Sequence, residues 1–170
     1  MTQNAYQNYF IGYPEDIQSQ VALLIEKNKL TQYFKNKYPN SHTIKSEKAL
    51  FQYATMLKQE FLKNAPQLNS VKYEKKKDLV LNALGTHTFK RHAHGKKLKA
   101  QHHIAIADNL KNAPESLLKV LIVHELAHFK EKDHNKSFYQ LCCHMEPEYF
   151  QLELDLRLFM VMCEQGNNIY

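Results

Sequence analysis

Three histidines and a glutamate stand within eleven residues of the 170-residue chain, which reads H-E-L-A-H-F-K-E-K-D-H from position 124. On an α-helix, residues i and i+4 share a face with their Cβ atoms about 5–6 Å apart, so His124 and His128 can direct their imidazoles at one ion. Glu125 is offset by one residue and flanks such an ion without having to bind it. This combination is typical of a metal ion that activates water, with a carboxylate as the base.

His134 is the predicted third ligand. Catalytic zinc commonly has three protein ligands and an open position for water, whose pKa falls from about 15.7 to about 7 on binding. The spacing follows the H-E-x-x-H-x-x-G-x-x-H zinc signature, except that Glu131 replaces the glycine. We therefore expect a reversal that does not depend on glycine, with a polar connection over residues 130–133 and His134 near the start of the next helix. The alternative third ligands are Glu146, Glu148 and Glu153.

These residue types predict hydrolysis by a metal-bound water. Glu125 is expected to take the proton from that water and to return it to the leaving group, while the three histidines hold an open-sided ion. Zinc is the expected cofactor because imidazole suits it, although nickel, cobalt and manganese could occupy the same geometry. A non-catalytic, metal-stabilised binding module is an alternative, but a purely structural zinc site would gain nothing from Glu125.

The helix that carries the motif is predicted to be buried. Asn112 and Glu115 have the spacing of a capping box, and Pro114 is tolerated in a first turn, so the helix is expected to start near Ala113. Residues 117–123 are apolar on nearly every face, which is typical of a helix inside a core. We therefore expect the ligands to be presented from inside the fold, at a cleft.

Apolar spacing predicts helices and short strands along the rest of the chain. Helices are predicted over residues 14–27, 30–37, 45–63 and 136–145, with a last helix that follows Pro147 and ends near Glu164. Short strands are predicted at 71–74, 79–83, 86–89 and 102–108, arranged as a meander. This succession indicates an α+β fold with N-terminal helices, a small, mostly antiparallel sheet, the buried motif helix and C-terminal helices. One compact domain is expected, in which a helical region at 1–68 packs on a catalytic region at 69–170.

Composition favours a cytoplasmic protein. Three cysteines, of which Cys142 and Cys143 are adjacent, do not form a disulfide framework, and the odd count fits a reducing compartment. No charged start is followed by an apolar run, and no stretch approaches eighteen apolar residues. Neither export nor a membrane partner is therefore expected.

The positive charge of the chain has two interpretations, a solvated surface or a phosphate-bearing partner. The net charge is +6, and residues 90–99 hold four lysines, an arginine and two histidines around Gly95 as a predicted exposed hairpin tip. Such a segment is usually a solvated surface, and the alternative is that it attracts phosphate, as nucleotide or as nucleic acid. It lacks the interleaved aromatics that base stacking needs, so no specific nucleic-acid recognition is inferred. His144 and Tyr149 follow the third ligand and could stabilise an oxyanion. Side chains whose roles stay open are His87, His92, His94, His102, His103, His144 and Tyr149.

Several segments beyond H-E-x-x-H resemble the YgjP-like family of zinc metallohydrolases. They are L-G-T-H-T-F at 84–89, V-H-E-L-A-H-F-K-E-K-D-H at 123–134, F-Y-Q-L-C at 138–142, H-M-E-P-E-Y at 144–149 and L-D-L-R-L at 154–158. The resemblance implies His124, His128 and His134 as zinc ligands, Glu125 as general base, and a zincin-like metallopeptidase fold. Similarity around Gly12 and Ala49 extends it to most of the chain.

The resemblance leaves two activities to weigh. Members are commonly labelled metallopeptidases by motif, which makes a metallopeptidase our first expectation, and nucleoside triphosphate pyrophosphatase activity has also been proposed within the family. A peptidase would dock an unfolded chain along the strand at 102–108, whereas a pyrophosphatase would use the lysine-rich segment against phosphates. The expected partner is therefore a peptide or a nucleotide substrate, and the sequence leaves the physiological substrate and the oligomeric state open.

Overall fold

The computed structural model describes residues 6–75, 85–94 and 97–170, and for residues 85–94 and 97–100 it describes the backbone. Its helices are α1 (Glu15–Glu26), α2 (Leu30–Lys37), α3 (Glu47–Phe61), α4 (Glu115–Ala127), α5 (Lys136–Met145) and α6 (Tyr149–Glu164). Short 3-10 helices cover Gln7–Phe10 and Asp108–Asn112, and the strands are β1 (Leu68–Glu74), β2 (Gly85–His94) and β3 (Lys97–Ala107). The fold is therefore mixed α+β, as predicted. None of the helices in these ranges is long and apolar enough to cross a membrane.

The predicted helices agree closely with the observed ones. α2 coincides with its predicted range, and α5 ends at Met145, just before the proline-containing connection to α6. α3 begins after Ser46, whose hydroxyl caps the helix by accepting a hydrogen bond from the Ala49 amide at 3.1 Å. The spacing of apolar residues, together with helix breakers, was thus sufficient to predict approximately where these helices begin and end.

The sheet differs from the prediction in its order. Its strands lie in the order β1-β3-β2, with β1 parallel to β3 and β2 antiparallel to β3. The expectation of a mostly antiparallel meander is wrong, because a meander places consecutive strands side by side, whereas β1 neighbours β3. Alternation of side chains defines the faces of a strand but does not name its partner. The predicted strand at 79–83 lies outside the described residues.

β3 is the central strand, which removes the predicted docking edge. Its residue Ile104 lies between Val71 of β1 and His87 of β2. An extended peptide can add only to an open strand edge, and both edges of β3 are paired here. The lysine-rich segment is mainly strand rather than loop, since β2 and β3 remain paired as far as His94 and Lys97. Gly95 and Lys96, at its predicted tip, lie outside the described residues.

α4 is the central helix of the core, as its all-apolar surface predicted. It contacts α3, α5, α6 and the sheet, and Leu117, Leu118, Ile122 and Val123 are fully buried. Burying such side chains stabilises the fold by about 1.5–3 kcal/mol each. Apolar side chains of the N-terminal helices belong to the same buried cluster. The motif at the end of α4 is thus held on a well-packed support.

The start of α4 differs from the predicted capping box. Pro114 is the N-cap, and no side chain caps the helix. Asn112 ends the preceding 3-10 helix, where its Oδ1 accepts a hydrogen bond from Lys45 Nζ at 3.1 Å. The capping-box prediction is therefore wrong, because a tertiary contact uses the asparagine and the proline starts the helix by fixing its own φ.

Candidate metal centre

Two helix ends bring the three histidines together. His124 lies in the last turn of α4, and His128 is its C-cap residue. The chain then reverses, and Asn135 caps α5 by accepting a hydrogen bond from the Phe138 amide at 2.9 Å. His134 directly precedes this cap, so its predicted position near the start of the next helix is confirmed.

The Nε2 atoms of the three histidines converge. His134 Nε2 lies 3.1 Å from His124 Nε2 and 3.2 Å from His128 Nε2. The three rings form a group whose ligand atoms all lie within 4.8 Å of one another. Three nitrogens bound at 2.0–2.1 Å to a tetrahedral zinc ion lie about 3.3 Å apart. The spacing of the three nitrogens therefore fits a single transition-metal ion, and we call these histidines the triad.

The outer nitrogens of two triad rings have fixed partners. His128 Nδ1 lies 2.9 Å from the Glu131 carbonyl oxygen, which can only accept, so Nδ1 donates and Nε2 presents its lone pair inward. His124 Nδ1 lies 2.7 Å from the hydroxyl of the buried Tyr149. That hydroxyl also hydrogen-bonds with the Cys142 thiol. Such outer partners orient metal-binding rings and fix their tautomers.

The reversal after α4 does not need the glycine of the zinc signature. The amides of Lys130 and Glu131 both donate to the Ala127 carbonyl at 3.0 Å. Among the described residues, Asn28 is the non-glycine residue with positive φ, so Glu131 has an ordinary backbone conformation. The predicted glycine-independent reversal is confirmed, and the Glu131 carbonyl gains a role in holding His128.

Phe138 supports the triad from one side. Its ring centroid lies 4.9 Å from that of His124, 4.8 Å from that of His128 and 4.7 Å from that of His134, and the residue is fully buried. A nearly equidistant ring lies close to the axis of the three imidazoles. We therefore expect an ion on the three nitrogens to have its open position on the side away from Phe138. Motif spacing did not identify Phe138, although it is an apolar residue one helical turn after His134.

The electrostatics of the site favour the neutral form of His124 and His134. Burial, and then the neighbouring His134 and His128, lower the pKa of His124 to about 3. Burial and His128 also lower the pKa of His134. Metal binding requires deprotonated nitrogen, so the triad fits a divalent ion at neutral pH. Glu125, beside His124 on α4, is only 3% exposed.

The alternative acidic ligands have other partners. Glu146 forms an ion pair with Lys119 at 2.6 Å, and Glu153 binds Arg157 and the Tyr13 hydroxyl. Neither joins the group of possible ligands formed by the three histidines. Glu148 is exposed and is likewise outside that group.

Other polar residues named from the sequence lie apart from the open side. Tyr149 is 1% exposed behind His124, so it is placed to orient that ring rather than to meet a substrate. His144 is exposed and contacts the Phe61 ring. His102 stacks on Phe129, and His103 hydrogen-bonds with the Ser70 hydroxyl. The side chains of His87, His92 and His94 lie outside the described residues.

Comparison with known proteins gives two consistent matches. The model of the family described as "YgjP-like, metallopeptidase domain" matches residues 9–158. A curated relative from Escherichia coli (strain K12), named UTP pyrophosphatase, is 49% identical over 160 residues, which are 94% of this chain and 96% of the relative. No solved structure matches the chain. Because the family model and the relative both cover most of the chain, the protein belongs to the YgjP-like family.

Proposed function

We propose that this protein is a metal-dependent hydrolase that acts as a nucleoside triphosphate pyrophosphatase. The observation that carries the proposal is the convergence of three imidazole nitrogens at the end of a helix that also bears a buried glutamate, in a chain 49% identical to a UTP pyrophosphatase. The triad supplies the chemistry, and the relative supplies the substrate class. Hydrolysis of a phosphoanhydride is a reaction that such a centre can perform.

The metallopeptidase expectation is corrected by this comparison. It rested on the motif and on the label of the family, and the curated relative is named for a nucleotide instead. The pairing of β3 on both sides agrees with the correction, because it leaves no edge there for a peptide. A zincin-like fold stays part of the proposal, supported by the helix-borne motif, since the same metal centre can serve different substrates.

His124, His128 and His134 are the proposed ligands. A divalent ion, zinc by preference, would supply Lewis acidity there, offsetting phosphate charge and lowering the pKa of water. The protein orients two of these rings through the Tyr149 hydroxyl and the Glu131 carbonyl. Phe138 closes the opposite side, so the substrate is expected to approach from the side away from it.

Glu125 is the proposed general base. It takes a proton from water while the water oxygen forms a bond to the α-phosphorus and the bond from that phosphorus to the bridging oxygen breaks. The proton then passes to the departing pyrophosphate, leaving a nucleoside monophosphate. Glu125 is buried on the rigid α4, which restricts the positions that its carboxylate can adopt.

The proposal is tested by following UTP by phosphorus NMR with metal-free and zinc-reloaded protein. Only the reloaded protein is expected to yield UMP and pyrophosphate. Glu125→Gln should bind the metal but lose at least about 100-fold in rate, the range typical of a general base. Glu60→Gln, an exposed carboxylate on α3, is the matched control and should act as wild type. Intact UTP with the loaded wild type, or full activity of Glu125→Gln, would contradict the proposal.

A further inference from the structure

Two aromatic rings form a step beside the triad. Tyr139 of α5 has its ring centroid 6.4 Å from that of His134. Phe150 of α6 continues the step, with its centroid 5.5 Å from that of Tyr139 and the two planes inclined by 31°. Phe150 is 59% exposed. An aromatic surface therefore runs from the rim of the metal centre to solvent.

The exposure of Phe150 distinguishes it from the other surface apolar residues. The exposed large hydrophobic residues among those described are Ile11, Leu23, Met56 and Phe150. Phe150 is the aromatic member of this set, and it is linked to the triad through Tyr139. Single exposed aliphatic residues are ordinary, whereas an exposed aromatic face next to a reaction centre can bind a planar ligand.

We propose that Tyr139 and Phe150 form the platform on which the nucleobase of a nucleoside triphosphate stacks. The inference rests on the proposed function, which places the phosphates at the triad. A single ribose separates the base from the α-phosphate, so the base must lie close to the reacting centre. The succession from His134 to Tyr139 and then to Phe150 provides an aromatic surface that begins next to the triad.

The edge of the platform is polar. Burial raises the pKa of Tyr139, Glu153 raises it further, and Arg157 lowers it. Arg157 is anchored by Glu153 and by the Tyr9 carbonyl at 2.9 Å. A base stacked on the rings would meet hydrogen-bonding groups at this border while its faces stay on apolar surface.

The test compares Phe150→Ala with Met56→Ala, which removes an equally exposed apolar side chain from α3. Stacking contributes about 1–3 kcal/mol per base, which corresponds to roughly a 5- to 150-fold change. Phe150→Ala should raise KM for UTP within this range, while kcat and metal affinity stay unchanged. Phe150→Trp should restore KM. Inorganic tripolyphosphate, which has no base, should bind Phe150→Ala, Met56→Ala and the wild type with equal affinity.

Saturation-transfer NMR with UMP separates this inference from the proposed function. Protein aromatic protons should transfer saturation to the uracil protons in the wild type and in Met56→Ala, but not in Phe150→Ala. If the wild type leaves UTP intact, the proposed function fails, and the UMP signal still decides the platform. An unchanged KM and UMP signal in Phe150→Ala, or an equal loss of tripolyphosphate binding, would overturn the platform.

Discussion

Two polar clusters of this protein, one fully buried and one partly exposed, are built on opposite principles. The first gathers four donors around the carboxylate of Asp155, which is fully buried. The second gathers three acceptor nitrogens around a point in the triad. Asp155 lies where an unmatched polar group costs about 1–3 kcal/mol, whereas His124 and His128 are partly buried and His134 is exposed. What differs is whether the protein itself supplies the matching charges and protons.

The Asp155 cluster is complete within the chain. Its Oδ1 accepts hydrogen bonds from the Tyr33 hydroxyl at 2.7 Å and the Gln151 amide at 3.0 Å. Its Oδ2 accepts from Lys37 Nζ at 2.7 Å and from the Tyr38 hydroxyl at 2.5 Å. These donors tie α2 to α6, so the cluster serves the fold.

Among the described residues, the triad has no group that completes it. His128 presents a lone pair, and His134 has at most one proton at Nε2 for two nitrogens at 3.1 and 3.2 Å. A cation is the group that would complete three converging lone pairs. The comparison teaches that polar groups that satisfy one another serve the fold. Several nitrogens that converge with too few protons between them indicate instead the site of a ligand.

Removing one ring of the triad is expected to give the largest effect. His134→Ala should lower metal affinity by more than the 10- to 100-fold loss typical of an outer partner. Stability without metal should change little, because His134 is exposed. Calorimetric metal titration and urea unfolding measure the two quantities, with His144→Ala as the exposed control. Unchanged metal stoichiometry would point instead to another third ligand.

Removing the charge of Asp155 should lower the stability of the fold and leave metal affinity unchanged. Asp155→Asn leaves Lys37 and the tyrosine hydroxyls mismatched, so the free energy of unfolding should fall by about 2–4 kcal/mol. Metal affinity per folded molecule should be unchanged. The control Asp108→Asn breaks the surface pair with Lys111 at 2.8 Å and should cost at most about 0.5 kcal/mol. Equal losses in both variants would contradict the assigned role of Asp155.

A smaller effect is expected at Tyr149, whose buried hydroxyl supports the triad from behind His124. Tyr149→Phe removes the partner of Nδ1 and should weaken metal binding by about 10- to 100-fold. The d–d spectrum of the cobalt-loaded protein should shift, since the ring is no longer held. Tyr53→Phe loses a hydroxyl bound to Glu115 at 3.3 Å and is the matched control. Wild-type metal affinity in Tyr149→Phe would remove that hydroxyl from the site.

The smallest effect is expected at the position where the zinc signature has glycine. Glu131→Gly keeps the backbone carbonyl that holds His128, so metal affinity should stay within about twofold. The free energy of unfolding should fall by at most about 1 kcal/mol through the added freedom of glycine. Metal titration and urea unfolding check both values. A large loss of affinity would show that the Glu131 side chain takes part in the site.

The sequence predicted those parts of the fold that depend on local patterns. α4 is buried because its apolar residues occupy every face, and α5 ends before Pro147 because proline cannot continue a helix. His134 lies where its spacing after α4 suggested. These features depend on a few neighbouring residues and are therefore readable without tertiary information.

The remaining features depend on distant contacts. The parallel pairing of β1 with β3 joins segments about thirty residues apart, such as Val71 and Ile104, and alternation alone does not encode it. Tyr149 meets His124 across 25 residues, and Asp155 meets Tyr33 across 122. Motif spacing named Tyr149 without its role and did not name the Asp155 cluster. The proposed substrate class likewise rests on a relative and not on the motif.

The most direct test of the open triad is a crystal structure of the zinc-loaded protein, measured on both sides of the zinc absorption edge. The account predicts one anomalous peak bonded to Nε2 of His124, His128 and His134, with its free side turned away from Phe138. A peak at another group of residues, or a glutamate in place of His134, would contradict it.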